Sequence, residues 1–192
     1  MVDGLQNKMT KIIGLIPSRL GSKRLPGKAL AEIANLPVIV HVAKRSQLSN
    51  LLDKVIVCTD SDEIADTCKK HDIEAILTSN NFKNGTERIA SVINNFDYEF
   101  AIDIQGDEPL VNPNHIDYVA TNIANNSMGA EIIIPTLEVS YSSPETIVRV
   151  QSSVSQRIMT LTRASLPHRY SIPTTTIQKH LSIIGFTKEA LV

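Results

Sequence analysis

The chain has 192 residues, of which 42% are hydrophobic, 20% are charged and only 4% are aromatic. A chain of this length and composition forms one globular domain, with a small annex at most, and is neither disordered nor fibrous. The 19 basic and 20 acidic residues give a net charge of −1. Together with the scarcity of aromatic residues, this charge argues against nucleic acid as a partner.

Short apolar runs alternate with longer segments of helical periodicity, which predicts parallel strands joined by helices. The predicted strands span residues 12–17, 54–59, 72–78, 99–105 and 131–138, and the predicted helices span 35–52, 61–71, 86–96 and 112–125. These limits rest on breakers and capping residues. Because right-handed crossovers place helices on both faces of such a sheet, we predict a three-layer α/β/α sandwich with a mostly parallel sheet.

The pattern changes beyond Pro144. Predicted strands at 146–150, 155–161 and 180–185 follow without long helices between them, and a helix begins near Thr187. Residues 165–178 are rich in Pro, Ser and Thr, which is typical of a mobile loop. We therefore expect an N-terminal extension at 1–10, an α/β core at 11–144 and a small mixed-strand annex at 145–192.

Three features predict a cytoplasmic protein that does not enter a membrane. Cys58 and Cys68 form no disulfide framework and are expected to be reduced. Residues 1–11 lack the apolar core of a signal peptide. No apolar run reaches the roughly 18 residues that a membrane span needs.

The loop after the first strand has an unusual concentration of positive charge. Residues 19–28 contain two Arg, two Lys and two Gly, a pattern typical of a triphosphate site, since Gly exposes backbone N–H groups while Arg and Lys bind phosphate oxygens. Five residues rather than four separate Gly21 from Gly27, and Ala29 follows Lys28, so this is not a Walker A loop. A Gly-x-Gly-x-x-Gly dinucleotide turn is also absent. The alternative is a solvated basic loop.

The end of the fourth predicted strand carries carboxylates. Residues 103–109 read Asp-Ile-Gln-Gly-Asp-Glu-Pro, and one carboxylate together with substrate phosphate oxygens is what Mg²⁺ prefers. Asp107 and Glu108 point opposite ways in an extended chain, so we assign the metal to Asp107, with Glu108 bracing the loop. Asp103 is a second candidate, and a plain turn is the alternative. Both strand ends lie at the ligand-binding edge of the sheet and together predict phosphoryl or nucleotidyl transfer.

Eight motifs recur in one order along the chain. They are IPSR at 16–19, SKRLPGK at 22–28, PVIVHV at 37–42, TD at 59–60, GTER at 85–88, QGDEP at 105–109, TRASLP at 162–167 and KHL at 179–181. From about residue 11 onward the chain thus resembles the 3-deoxy-manno-octulosonate cytidylyltransferase (CMP-Kdo synthetase) family. The resemblance implies a nucleotidyltransferase-like fold, in which the core at 11–144 binds the nucleotide and the annex at 145–192, C-terminally shortened, carries the sugar site and forms a homodimer. It also implies a role in lipopolysaccharide or surface-glycan biosynthesis. It implies that CTP and a 3-deoxy sugar acid react, with Mg²⁺, to give a CMP-sugar and pyrophosphate.

The resemblance also implies the roles of individual residues. Arg19, Lys28 and Asp107 would be catalytic, with Asp107 as the Mg²⁺ ligand. The residues implied for CTP binding are Pro17, Ser18, Arg19, Ser22, Lys23, Arg24, Lys28, Thr59, Asp60 and Arg88. The residues implied for the sugar acid are Gln105, Arg163 and His180. A helix-capping role for Thr86 and Glu87, and a structural role for His180, are the alternatives.

The departures from the family pattern lie mainly in the sugar half. Phe82 and Asn84 stand where a His and a Ser are usual, Ile184 replaces a Tyr, and residues 168–170 replace an aromatic residue and an acidic-basic pair. Family members also continue further, with a sugar-contacting Glu and a second metal-binding Asp. A catalytically impaired nucleotide-binding paralogue or fragment therefore stays open as an alternative. A nucleotide-sugar glycosyltransferase is less favoured, because strand four lacks an Asp-x-Asp motif.

Overall fold

The computed structural model describes residues 10–21, 25–125, 129–140, 147–164 and 176–192. Its strands are β1 (Ile12–Ser18), β2 (Glu32–Ile33), β3 (Leu36–Pro37), β4 (Lys54–Thr59), β5 (Ala75–Leu77), β6 (Phe100–Ile104), β7 (Ile132–Ile133), β8 (Thr136–Ser140), β9 (Arg149–Ser152), β10 (Ile158–Thr162), β11 (Thr176–His180) and β12 (Ile183–Thr187). Its helices are α1 (Val38–Ser46), α2 (Asp62–Lys70), α3 (Gly85–Ile93), α4 (Pro113–Asn125) and α5 (Lys188–Leu191), and a 3-10 turn covers Lys28–Leu30.

A six-stranded sheet in the order β5-β4-β1-β6-β12-β7 forms the centre of the first of two compact units. β1 runs parallel to both β4 and β6, and β4 runs parallel to β5. β7 is antiparallel to β12 at one edge. The predicted mostly parallel sheet is therefore confirmed, and Ser18 pairs with Thr59, so the carboxyl ends of β1 and β4 lie side by side.

Helices cover both faces of this sheet, as the sequence predicts. Side chains of a strand alternate between the two faces, so Ile13 and Leu15 pack towards α3 while Gly14 between them faces Leu52. The core on the α3 side consists of Ile13, Leu15, Ile56, Cys58, Ile89, Val92, Ile93, Ala101, Phe186 and Leu191. On the other face α1 contacts α2 and α4. Because both faces are covered, the inner strands read as continuous apolar runs rather than as alternating ones.

The second unit spans Ile134–Ile183 and contains a four-stranded sheet in the order β10-β9-β11-β8. The strand pairs described in it are antiparallel. The division at 144/145 that the sequence analysis proposed differs from these units in two ways. β8 lies in the second unit, and residues 184–192 belong to the first, because β12 adds a strand to the central sheet.

Several predicted elements have different limits in the structure. The predicted strand 131–138 is two strands, because Pro135 has no N–H for a ladder and separates β7 from β8. The predicted helix 35–52 begins only at Val38, after the β2–β3 hairpin, and ends at Ser46. The predicted loop at 165–178 lies partly outside the described residues, and its last three residues open β11. The helix near Thr187 is confirmed, with Thr187 as its N-cap.

None of the described helices combines the length and the apolarity that a membrane span requires.

Candidate functional site

The ends of β1 and β6 and the start of α3 meet around Pro17. A Cβ atom on Gly85 would lie 2.8 Å from Cγ of Pro17, and one on Gly106 would lie 2.7 Å from the Pro17 carbonyl oxygen. Only glycine permits approaches this close. The two glycines therefore allow the GTER and QGDEP motifs to lie against the end of β1, at the edge where the sequence predicts a site.

Lys28 links the basic loop to the carboxylate turn. Its Nζ donates a hydrogen bond to Oδ2 of Asp107 at 2.7 Å, and the two side chains remain 36% and 45% exposed. An ion pair this exposed is worth at most about 1 kcal/mol, so little energy is needed to separate it. A phosphate group could take the place of the carboxylate at Lys28, leaving Asp107 available to a cation.

A backbone hydrogen bond links Leu20 to Gly27 in the loop that carries Lys28. Gly27 has a φ of 69°, in the left-handed region that favours glycine, and its N–H donates to the carbonyl of Leu20 at 3.2 Å. An open pocket of about 650 Å³ lies beside this closure and is lined in part by Pro26 and Glu63. Arg19 is exposed at the end of β1.

Three of the predicted CTP ligands, Ser22, Lys23 and Arg24, lie outside the described residues. Their role in binding CTP stays a prediction.

Asp60 and Arg88 form a buried ion pair between the end of β4 and α3. Arg88 Nη2 donates to Asp60 Oδ2 at 2.6 Å, and Nη1 donates to Thr78 Oγ1 and to the carbonyl of Ser79 at 3.2 Å. The side chains are only 4% and 16% exposed. Phe82 covers the guanidinium group, with 5.9 Å between its ring centre and Cζ. The pair joins two strand-end loops, and its predicted contact with CTP stays a prediction.

Thr59 is also buried, and its polar atoms bind neighbouring loops. Its carbonyl accepts hydrogen bonds from the N–H and the hydroxyl of Thr78, at 2.8 and 3.1 Å. Its hydroxyl accepts from the N–H of Ser61 at 3.2 Å, and Ser61 in turn caps α2. Thr59 therefore fixes the backbone at the end of β4.

The start of α3 resembles a capping box, except that Glu87 binds the backbone N–H of the residue before the N-cap. Asn84 accepts from the N–H of Glu87 at 2.8 Å, and Glu87 Oε2 accepts from the N–H of Lys83 at 2.9 Å. The sequence pattern predicts that Thr86 opens this helix. Instead Asn84 is the cap, and Thr86 is free to donate its hydroxyl hydrogen to Asp103 Oδ2 at 3.3 Å.

Asp103 lies fully buried near the end of β6. Besides Thr86, it has Gln105 as a donor, with 3.1 Å between Gln105 Nε2 and Asp103 Oδ1. Burial raises the pKa of Asp103 to about 7, although the hydrogen bonds from Thr86 and Gln105 act in the opposite direction. Since both of its oxygens accept from neighbouring side chains, the geometry favours the exposed Asp107 over Asp103 as a metal ligand.

The remaining predicted sugar-binding residues lie in the second unit. Arg163 is exposed just after β10, and His180 ends β11, where its Nε2 lies 3.2 Å from the carbonyl oxygen of Ile183. Arg149, which was not among the predicted site residues, is buried in β9 and donates from Nη1 to the carbonyl of Arg163 at 3.0 Å. Its position between Val148 and Val150 in a predicted strand is the feature of the sequence that could have identified it.

The chain is similar to known cytidylyltransferases. A sequence model of the cytidylyltransferase family matches residues 13–192. A 3-deoxy-manno-octulosonate cytidylyltransferase from Polynucleobacter necessarius subsp. necessarius (strain STIR1) is 34% identical over 96% of this chain and 76% of its own length. The enzyme of the same name from Leptospira interrogans serovar Lai is 32% identical over 95% and 75%.

A solved structure shares the fold. It is that of CMP:2-keto-3-deoxy-manno-octonic acid synthetase complexed with CTP, and it superposes with a TM-score of 0.87 at 26% identity, covering 95% of this chain and 76% of that one. The chain thus spans about three quarters of the length of the relatives that it matches.

Proposed function

The chain belongs to the cytidylyltransferase family, and we propose that it transfers the cytidylyl group of CTP to 3-deoxy-manno-octulosonate or a related 3-deoxy sugar acid. The observation that carries the proposal is the 2.7 Å contact between Lys28 and Asp107. This contact joins the basic loop, which is suited to phosphate, to the carboxylate turn, which is suited to a metal ion. Both lie at the carboxyl ends of parallel strands, where such sheets bind their ligands.

The reaction is an in-line displacement at the α-phosphorus. The anomeric hydroxyl of the sugar acid gives its proton to solvent, and its oxygen forms a bond to the α-phosphorus. The bond from the α-phosphorus to the oxygen shared with the β-phosphate breaks, and pyrophosphate leaves with that oxygen. Negative charge develops on the phosphate oxygens in the transition state, so cations held there in advance lower the barrier. Lys28 and Arg19 would supply that charge, and the closed loop around Gly27 would hold Lys28 in place.

Mg²⁺ fits the residues of this edge. Mg²⁺ takes most of its ligands from substrate phosphates and water, so one exposed carboxylate of the protein suffices. Asp107, exposed and contacted by Lys28, would be the protein ligand. When bound, Mg²⁺ neutralises phosphate charge and orients the triphosphate.

The sugar acid would be held by groups of complementary chemistry. Gln105, beside Asp107 in the carboxylate turn, offers an amide to its hydroxyls. Arg163 offers a guanidinium, whose planar fork matches a carboxylate, and His180 would be a further contact. Ile184, which is partly buried against the core on the α3 side, has an aliphatic side chain and would contribute no hydrogen bond to the sugar acid.

We further propose a cytoplasmic homodimer. β10 is an edge strand of the second sheet and exposes Met159 and Leu161, which are 71% and 47% exposed. An apolar edge of this kind is suited to pairing with a second copy. Light scattering during size-exclusion chromatography should give a dimer for the wild type and a monomer for Met159→Glu. A monomeric wild type would contradict this part of the proposal.

Pyrophosphate release in the presence of CTP, Mg²⁺ and 3-deoxy-manno-octulosonate tests the proposed reaction. We expect release by the wild type and by Lys44→Ala, a control on an exposed position of α1. We expect a fall of at least about 100-fold in Asp107→Asn, because one preorganised electrostatic group contributes on that order. No release, with thermal stabilisation by CTP retained, would overturn the transferase and leave a nucleotide-binding paralogue.

A further inference from the structure

A buried carboxylate, that of Asp103, fixes the orientation of the Gln105 side-chain amide. Its Nε2 lies 3.1 Å from Oδ1 of Asp103, and an ionised carboxylate can only accept hydrogen bonds. The NH₂ group must therefore face Asp103, and the carbonyl oxygen Oε1 must face away from it. Among the described residues, no hydrogen-bond donor to Oε1 is found.

We propose that Asp103 is a positioning residue, which holds Gln105 so that its amide oxygen is presented as an acceptor to a hydroxyl of the sugar acid. The inference rests on the proposed function for the identity of the ligand. It goes beyond that function in stating which atom of Gln105 faces the substrate and which residue decides it.

The position of Asp103 is itself tightly determined. It is fully buried on the α3 side of β6, and Thr86 Oγ1 donates to its second oxygen, Oδ2, at 3.3 Å. Thr86 is available because Asn84 caps α3 in its place. With one donor on each oxygen, the carboxylate cannot turn without losing a hydrogen bond, and Gln105 is held with it.

The arrangement depends on the ionisation of Asp103. A protonated Asp103 could donate its own hydrogen to Gln105 Oε1, which would turn the amide and present NH₂ to the substrate. Burial raises the pKa of Asp103 to about 7, so both forms are populated near neutral pH. An acceptor for a sugar hydroxyl is therefore expected above this pH and is lost below it.

Few other charged groups face Asp103. Cys58 on β4 is buried and its pKa is raised to about 12, chiefly by burial, so it stays neutral. Arg88 on α3 is engaged by Asp60. Lys188 of α5 lies at the other end of β6, where its Nζ donates to the carbonyl of Phe96 at 2.8 Å. Arg88 and Lys188 thus each bind a group other than Asp103.

Steady-state kinetics from pH 6 to pH 8 test the inference. For the wild type we expect the KM for the sugar acid to fall several-fold as the pH rises, with little change in the KM for CTP. Asp103→Asn should abolish this pH dependence, because an amide does not titrate. Asp103→Leu cannot anchor Gln105 and should raise the KM for the sugar acid about tenfold at pH 8, the effect of one lost hydrogen bond.

The matched control is Asp53→Asn, which alters a carboxylate at the amino ends of the strands. There Asp53 accepts from the N–H of Ile12 at 2.8 Å. It should keep the pH profile of the wild type. The inference would be overturned if Asp103→Asn kept the wild-type profile. It would also be overturned if Asp103→Leu changed the KM for both substrates equally, as a purely structural residue would.

A readout without turnover separates this inference from the proposed function. The side-chain NH₂ resonances of Gln105, assigned by their loss in Gln105→Ala, should shift between pH 6 and pH 8 in the wild type and not in Asp103→Asn. Resonances that do not shift in the wild type would overturn the role of Asp103. A wild type that shows the shift and releases no pyrophosphate would instead overturn the proposed function alone.

Discussion

Burial of Asp103 should make the protein less stable as the pH rises. The pKa of this carboxyl is raised from 3.8 to about 7, so the folded state holds a proton that the unfolded state has released between those values. The free energy of unfolding therefore falls with rising pH in this window and levels off above pH 7. From pH 5 to the pKa lie two pH units at about 1.4 kcal/mol each, which gives a loss of about 3 kcal/mol.

Asp103→Asn removes this loss, because the amide is neutral at every pH. Urea unfolding of the wild type and the variant at pH 5 and at pH 8 gives the four free energies of unfolding. The difference between variant and wild type is taken at each pH, and subtracting one difference from the other removes any effect of the substitution that does not depend on pH. We expect the stability of the variant relative to the wild type to rise by about 3 kcal/mol between the two conditions. A rise below about 1 kcal/mol would refute the argument that Asp103 is ionised at the expense of stability.

Three further predictions follow from contacts at the edge of the sheet. Lys28→Ala should abolish the rise in melting temperature that CTP and Mg²⁺ produce, and an unchanged rise would remove Lys28 from the phosphate site. Asp60→Asn leaves the buried Arg88 charge unpaired and should lower the free energy of unfolding by about 3 kcal/mol; a urea titration showing less than about 1 kcal/mol would contradict this role. Gly106→Ala forces a Cβ to within 2.7 Å of the Pro17 carbonyl and should cost about 1–3 kcal/mol by the same titration, whereas wild-type stability would show that the turn can yield.

The sheet could be predicted because its strands are chemically uniform. In β4, for example, the residues from Val55 to Cys58 are apolar and buried, and polar residues bound this run on both sides. Where the predicted limits of a strand or helix were wrong, a single residue caused the difference. Pro135 cannot donate to a ladder and divides a strand that is otherwise continuous in sequence. Asn84 caps α3 two residues before Thr86, since a short polar side chain in either place satisfies the capping pattern.

The sequence predicted which classes of ligand the candidate site binds, but not which side chains pair with each other there. Local composition predicts that a loop with four cations and a turn with two carboxylates bind phosphate and metal. The pairing of Lys28 with Asp107, or of Gln105 with Asp103, depends on tertiary contacts that no local pattern contains. Asp60 and Arg88 were predicted as CTP ligands, whereas the structure also shows them buried against each other. Burial of this kind is set by the packing of α3 on the sheet.

Phosphorus NMR of a single reaction tests the central claim most directly. With CTP, Mg²⁺ and 3-deoxy-manno-octulosonate, the signals of CTP should disappear while a CMP-sugar phosphodiester and pyrophosphate appear in equal amounts, and nothing should change when the sugar acid is left out. Consumption of CTP without the sugar acid, or unchanged CTP signals in the complete mixture, would contradict cytidylyl transfer by this protein.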